Sequence, residues 1–256
     1  MRSMAEERHS RTDQLVLTAP VSLGKMIFGK FLAMVGVFTV AVAVIAVTPL
    51  VLAAFGTVPM GENYVAVLGF WLYGCTCIAV GMLASALTES QVIAAVVAFA
   101  FLFLGYMMNS ITGLIGDHLI TKVLGAYDLY TPLQSFMSGC LDLTGVVYFV
   151  SVTALCLFLT CQCVQKRRWS MTTKKLTTGM FSVAMIVVGF AVAVAVNMVV
   201  KEMPSSWTAV DATSTKLYSL TDTTKDYVKN LSQDVTIYVL SSEKSADSTL
   251  AETLQR

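Results

Sequence analysis

The sequence predicts an all-α polytopic membrane protein with about five transmembrane helices, followed by the beginning of a C-terminal extracytoplasmic α/β domain. Three observations point there. Hydrophobic residues make up 56% of the 256 residues and charged ones 13%, with a mean hydropathy of +0.72, whereas soluble domains carry roughly one quarter charged residues. Apolar runs long enough to cross a hydrocarbon core recur along the chain. Basic residues gather in alternate links between them. The formal net charge of +1 offers no attraction for nucleic acid or for an acidic substrate.

The opening twenty residues are polar and charged, unlike the short apolar core of a secretory signal peptide. Ser3 and Glu6 have the spacing of a capping box, in which each side chain satisfies an unpaired backbone N–H at a helix start. A cytoplasmic helix over Met4–Leu17 follows, ended by Pro20, with Ser22 placed to cap the first span. Spans are expected at about 26–54, 64–86, 91–115, 143–164 and 180–200. The first contains Pro49, which predicts a tilt or kink near its far end. Between the third and fourth spans, Asp117–Leu141 mixes apolar and polar residues. It should hold a short helix lying on the outer surface, with Tyr127, Tyr130 and Phe136 as interfacial anchors.

Beyond Pro204 the chain turns to Ser, Thr, Lys and Asp. A helical run over Thr221–Leu231 and a strand over Val235–Leu240 read as the start of an α/β domain. A lone strand leaves its backbone unpaired, so this tail is expected to need a partner or to belong to a longer chain.

Orientation follows from Lys and Arg, which resist translocation in short loops. Arg2, Arg8, Arg11, Lys25 and Lys30 flank the first span, and Lys166, Arg167, Arg168, Lys174 and Lys175 precede the fifth. Of the links on the other side, Thr57–Asn63 has no basic residue and Gly116–Asp142 only Lys122. The amino terminus should therefore be cytoplasmic and the tail extracytoplasmic, in a multi-pass plasma-membrane protein.

Signals of bond-making chemistry are weak. The Cys-x-Cys pairs at 75/77 and 161/163 sit in apolar runs, where a thiol packs as a small hydrophobe, and a zinc site needs four converging ligands. Gly24–Lys30 spells Gly-x-x-x-x-Gly-Lys, but Phe31 replaces the Ser or Thr of a phosphate-binding loop and no strand precedes it. His9 and His118 are expected on opposite faces of the membrane, so they cannot share a metal. Asn230-Leu231-Ser232 is a glycosylation sequon by pattern alone. No ionisable residue falls in mid-span, which disfavours ion coupling. Gly69, Gly74, Gly81, Ala84 and Ser85 read as close-packing positions between helices. No enzyme activity, cofactor or metal is expected.

The run Met1-Arg2-Ser3-Met4-Ala5-Glu6-Glu7-Arg8, continued by Thr12, Leu15 and Pro20-Val21, resembles the cytoplasmic segment of ABC type 2 permeases. In those exporters the segment docks on an ATPase subunit, opening with Met-Arg-x-x-Ala-Glu-Glu and closing with Leu-Leu-x-x-Pro-Val. Arg11 departs from the family's glycine. The resemblance covers residues 1 to about 165 and is nearest to permeases of the gliding-motility type. It implies two further helices ahead of Met1, and an ATPase-coupling role for Ala5, Glu6, Glu7, Arg8, Thr12, Leu15 and Pro20. Val210–Asp222 and Leu231–Leu240 resemble the opening of that system's auxiliary component, so the chain looks like a permease–auxiliary fusion cut at both ends.

The expected organisation is a coupling segment at 1–20, a four-helix permease remainder at 21–165 and a basic linker at 166–179. A fifth helix at 180–200 and the start of the auxiliary domain at 201–256 complete it. The implied partners are a cytoplasmic ABC ATPase, a second permease copy, membrane lipid and a cell-envelope partner for the C-terminal domain. A competing reading is a membrane-anchored scaffold with no transport activity, and a third is an ion-driven carrier.

Overall fold

A backbone surrounded by hydrocarbon must satisfy its own N–H and C=O groups, and the long apolar runs do so as α-helices. The computed structural model describes residues 22–115, 125–169, 175–201, 203 and 208–212. Among them are helices α1 (Leu23–Ala53), α2 (Met60–Leu87), α3 (Gln91–Ile115), α4 (Tyr130–Met137), α5 (Leu143–Trp169) and α6 (Lys175–Lys201). A single 3-10 turn (Gly125–Tyr127) precedes α4, and two short strands, β1 (Cys140–Asp142) and β2 (Ala209–Asp211), pair antiparallel.

Four helices have the length and composition of membrane spans: Leu23–Ala53, Met60–Leu87, Gln91–Leu114 and Leu143–Gln165. They match the first four expected spans. At the fifth, α6 is helical over 27 residues, with its apolar stretch at Ala184–Val200. The expected helix over Met4–Leu17 and the tail elements at Thr221–Leu231 and Val235–Leu240 lie outside the described residues, as do His9, His118 and Lys122.

Helix α2 is the hub, packed on α1, α3, α4 and α5, with its most extensive contact along α5. α1 contributes one stripe, Ile27, Phe31, Val35, Val42 and Pro49, all buried. Steps of four and seven residues hold one side of a helix toward its neighbour. The opposite side of α1 is as apolar but exposed, with Val37 at 76%. An apolar surface of that extent is suited to lipid, not water. α1 remains helical through Pro49 to Ala53. Gly24–Lys30 lies inside this helix, so its N–H groups beyond the first turn serve the helical ladder instead of cradling phosphate.

Small residues let the helices approach, as the sequence indicates. A Cβ at Gly74 would collide with the Phe38 ring of α1, and one at Gly189 would lie 2.9 Å from Phe158 across the α5–α6 contact. Hydroxyls add polar ties where no water competes. Trp71 Nε1 donates to Thr39 Oγ1 at 2.9 Å, joining α2 to α1. Thr76, fully buried, donates to the Phe149 carbonyl at 3.3 Å and lies 3.1 Å from the Thr153 hydroxyl. Interhelical hydrogen bonds in membrane proteins contribute about 0.6 kcal/mol on average and up to about 2. Thr76→Val should thus cost about 1 kcal/mol in reversible unfolding from detergent; a change above about 3 would mean the network is stronger than its geometry indicates.

Candidate functional site

The connection between α3 and α5 is the least regular part of the described bundle, and it is where backbone departs from the spanning helices. Asp128 organises it. Its carboxylate accepts from the Tyr130 amide at 2.9 Å and the Thr131 amide at 3.3 Å, and also from the Thr131 hydroxyl. These bonds satisfy amides that the first turn of α4 cannot pair internally. At the other end Gly139 adopts φ 80°, a left-handed conformation that glycine accepts without strain. Its amide donates to the Phe136 carbonyl at 3.1 Å, and the Ser138 amide donates to Gln134 at 2.9 Å. Asp142 then accepts from the Thr144 amide at 2.9 Å, capping α5.

The short helix expected here exists, and it packs one side on the bundle through Phe136 while Thr131, Gln134 and Met137 are exposed. Leu129 and Phe136 are both 0% exposed. The Leu129 amide donates to the Gly105 carbonyl at 3.1 Å, and Gly105 lies ten residues from the Ile115 end of α3, about 15 Å along the helix. Each side chain enters through a missing one. A Cβ on Gly105 would sit 2.7 Å from Leu129 Cδ1 and 2.9 Å from Tyr127 Cε1, and one on Gly145 would sit 2.8 Å from Phe136 Cε2. A Cβ on Gly69 would overlap Phe136 itself.

The three aromatic residues expected as interfacial anchors divide. Phe136 is a core residue, 6.3 Å from the Phe149 ring. Tyr130 packs edge-on against Tyr106 at 5.0 Å. Tyr127 reaches the Phe101 carbonyl of α3 with its hydroxyl at 3.4 Å. Asn109 adds a tie from α3, donating to Thr131 Oγ1 at 3.1 Å. Helix α4 therefore touches α2, α3 and α5 at once.

Its chemistry is that of packing and hydrogen bonding. Among the described residues no group of three or more His, Cys, Asp or Glu is placed to hold a metal. None of the six cysteines forms a disulfide, and Cys75, Cys140 and Cys156 are buried. The residues expected to couple to an ATPase, Ala5, Glu6, Glu7, Arg8, Thr12, Leu15 and Pro20, lie outside the described residues. Sequence reasoning passed over Leu129, Gly105 and Gly145. The Asp128–Thr131 capping spacing could have located the start of α4, but nothing local marks which glycine receives which side chain.

Four helices long and apolar enough to cross a membrane pack with the short helix α4, and the sequence comparison gives the chain a family. Residues 1–164, well over half of the chain, match the ABC-2 family transporter protein. The chain belongs to the ABC-2 transporter family. No curated protein and no solved structure matches it. Membrane domains of the ABC-2 family generally work with an ABC ATPase partner and do not themselves catalyse a reaction, and this multi-pass chain carries that domain.

The matched stretch stops within α5, and α6 and β2 lie beyond it. Both are docked on it. Asn197 of α6 donates to Ser151 Oγ of α5 at 2.6 Å. β2 aligns Ala209, Val210 and Asp211 with Asp142, Leu141 and Cys140. The Ala212 amide donates to the Gly139 carbonyl at 3.2 Å, and a Cβ on Gly61 would meet the Ala212 carbonyl oxygen at 2.5 Å. β2 has no signature of its own in the sequence, because three residues carry too little alternation to read.

Proposed function

We propose that this ABC-2 chain is the permease subunit of an ATP-driven exporter, with a cytoplasmic amino terminus that couples to a separate ATPase. The observation that carries the proposal is the family match, which begins at residue 1 and so takes in the charged segment before α1. Glu6, Glu7, Arg8 and Thr12 of that segment make the ATPase contact, and Ala5, Leu15 and Pro20 set its shape. ATP-driven closure of the ATPase pair moves this segment, and rocking of α1 and α2 passes the motion to α4. A second copy of the chain completes the pathway.

Charge distribution in the links supports the orientation: ten basic residues flank the Leu23 end of α1 and the α5–α6 link, against Lys122 alone in the two links 57–63 and 116–142. The energy source is supported by what the spans contain. Among the described residues, Lys25, Lys30 and Glu62 stand toward the ends of the spans and Glu89 in a link, where their stems can carry the charge to water, and Asp128 lies outside the spans with its carboxylate engaged by the Tyr130 and Thr131 amides. A proton- or ion-driven carrier needs such a group at membrane depth.

The tail beyond α6 is the start of an extracytoplasmic auxiliary domain of the gliding-motility type, fused to the permease. Its pairing of β2 with β1 supports a mechanical connection between the two parts. The same pairing favours a second reading, a scaffold that holds an envelope-binding domain and transports nothing.

One experiment separates the two. Affinity-purified full chain should retain an ATP-binding cassette ATPase from its native membrane, and Glu6→Ala/Glu7→Ala should reduce that ATPase about tenfold or more, as expected for two charge-assisted contacts of about 1.5 kcal/mol each. Undiminished association in the double variant would overturn the coupling role. Wild-type chain that retains no ATPase would favour the scaffold.

A further inference from the structure

The two ends of the bundle carry opposite charge. Leu23 and Met26 at the start of α1, Met82 and Leu83 near the end of α2, and Cys161 and Val164 near the end of α5 belong to one apolar cluster, so these three helix ends share one end of the bundle. The start of α6 joins them: Gly189 meets Phe158 and Asn197 meets Ser151, which sets α6 antiparallel to α5. Among the described residues this end holds Lys25, Lys30, Lys166, Arg167, Arg168 and Lys175, against Glu89 alone. The other end, around Val65, Phe136 and Tyr148, holds Glu62, Asp128, Asp142 and Asp211 against Lys201. An anion is therefore drawn to one end of the bundle and repelled from the other.

Helix length fixes the depth of the basic end. The membrane-crossing part of α5 closes at Gln165, and the helix runs on without a break through Lys166, Arg167 and Arg168 to Trp169. Its 27 residues extend about 40 Å, close to the roughly 40–45 Å of a bilayer with its headgroup layers. The three basic residues therefore stand at headgroup level, and Trp169 is of a residue type favoured there. α6, also 27 residues long, starts at Lys175, with five residues between it and Trp169. Two helices that enter the membrane from this end thus keep the basic residues beside the headgroups, and no Asp or Glu occurs from Leu143 to Lys201 to neutralise them. Their part in setting orientation ends with insertion; afterwards they remain next to lipid phosphates, to which guanidinium groups offer paired donors. We propose that the joint end of α5 and α6 is a docking site for phospholipids of net negative headgroup, with Lys166, Arg167, Arg168 and Lys175 holding the phosphate. A zwitterionic headgroup brings no net charge, so preference for the negative lipid is the signature of the site. The inference does not depend on the ATPase partner.

The test uses the full chain in detergent, titrated with phosphatidylglycerol or with phosphatidylcholine of the same acyl chains and read by native mass spectrometry. Wild-type chain should bind phosphatidylglycerol about tenfold or more tightly than phosphatidylcholine. Arg167→Gln/Arg168→Gln should weaken phosphatidylglycerol about tenfold, each charge contributing up to about fivefold, and leave phosphatidylcholine within about twofold. Lys201→Gln, at the other end of the bundle, should change neither. Because binding is read in detergent, an altered orientation in the membrane cannot produce the loss. If the double variant fails to fold, Lys175→Gln decides, with an expected weakening of about fivefold for phosphatidylglycerol alone. Equal affinity of wild-type chain for the two lipids would overturn the proposal, as would a loss no larger in Arg167→Gln/Arg168→Gln than in Lys201→Gln. Undiminished phosphatidylglycerol binding together with loss of a copurifying ATPase would also overturn it, and would assign the basic end to a protein partner.

Discussion

Phe136→Ala should destabilise the bundle by about 3 kcal/mol, the low end of the range for removing a buried Phe. The side chain is fully buried and is the shared contact of Gly69 on α2 and Gly145 on α5. It also stands against Phe149 at 6.3 Å. The low end applies because lipid tails are as apolar as the protein interior, so what is lost is packing and not transfer from water. The measurement is unfolding of detergent-solubilised protein, by thermal or denaturant titration. Gly69→Ala should produce a loss of similar sign, because its new Cβ overlaps the Phe136 ring. Combined with Phe136→Ala it should cost less than the sum, since the ring is then absent. Additive losses would show that the two residues do not share one contact.

Gly105→Val should expel the segment that ends at α4. Its Cβ would lie 2.7 Å from Leu129 Cδ1 and 3.0 Å from Leu129 Cγ, closer than carbon atoms approach without displacement. Overpacking of this kind costs about 1–3 kcal/mol. Moving Leu129 also breaks its amide bond to the Gly105 carbonyl, adding about 1 kcal/mol. Cys140 reports the change: it follows α4 directly and is 2% exposed. Its labelling by a polar maleimide in detergent should rise about tenfold or more in Gly105→Val, while Cys75, buried between α1 and α2, stays protected. Unchanged Cys140 labelling would show that the segment is held by its own turns and not by its fit to α3.

Much of this architecture was legible because a membrane filters local composition so strongly. A run such as Gln91–Ile115 has one stable solution in hydrocarbon, since only a helix pairs every backbone group within the run. Its ends are set where polar residues resume. The glycines at 69 and 74 were legible as packing sites for a related reason: helices that gain little from excluding water must gain from contact. The charged coupling segment was legible only by resemblance, because a capping box and a few charges are common in any cytoplasmic helix.

The α3–α5 connection shows where such reasoning stops. Tyr127, Tyr130 and Phe136 have the composition of an interfacial loop, and composition cannot distinguish aromatic rings at a surface from rings driven between helices. What decided it was the coincidence of Phe136 with gaps at Gly69 and Gly145, 67 positions before it and nine after.

By itself the sequence determined that this chain crosses a membrane repeatedly, where each crossing falls and which family it belongs to, because these follow from local hydropathy and from residues adjacent along the chain. Tertiary structure alone decided that Leu129 and Phe136 are buried against Gly105, Gly69 and Gly145, that β2 joins β1, and that a chamber opens between α5 and α6. Those features depend on side chains from distant positions filling, or leaving unfilled, one another's space, and a linear pattern holds no record of that complementarity.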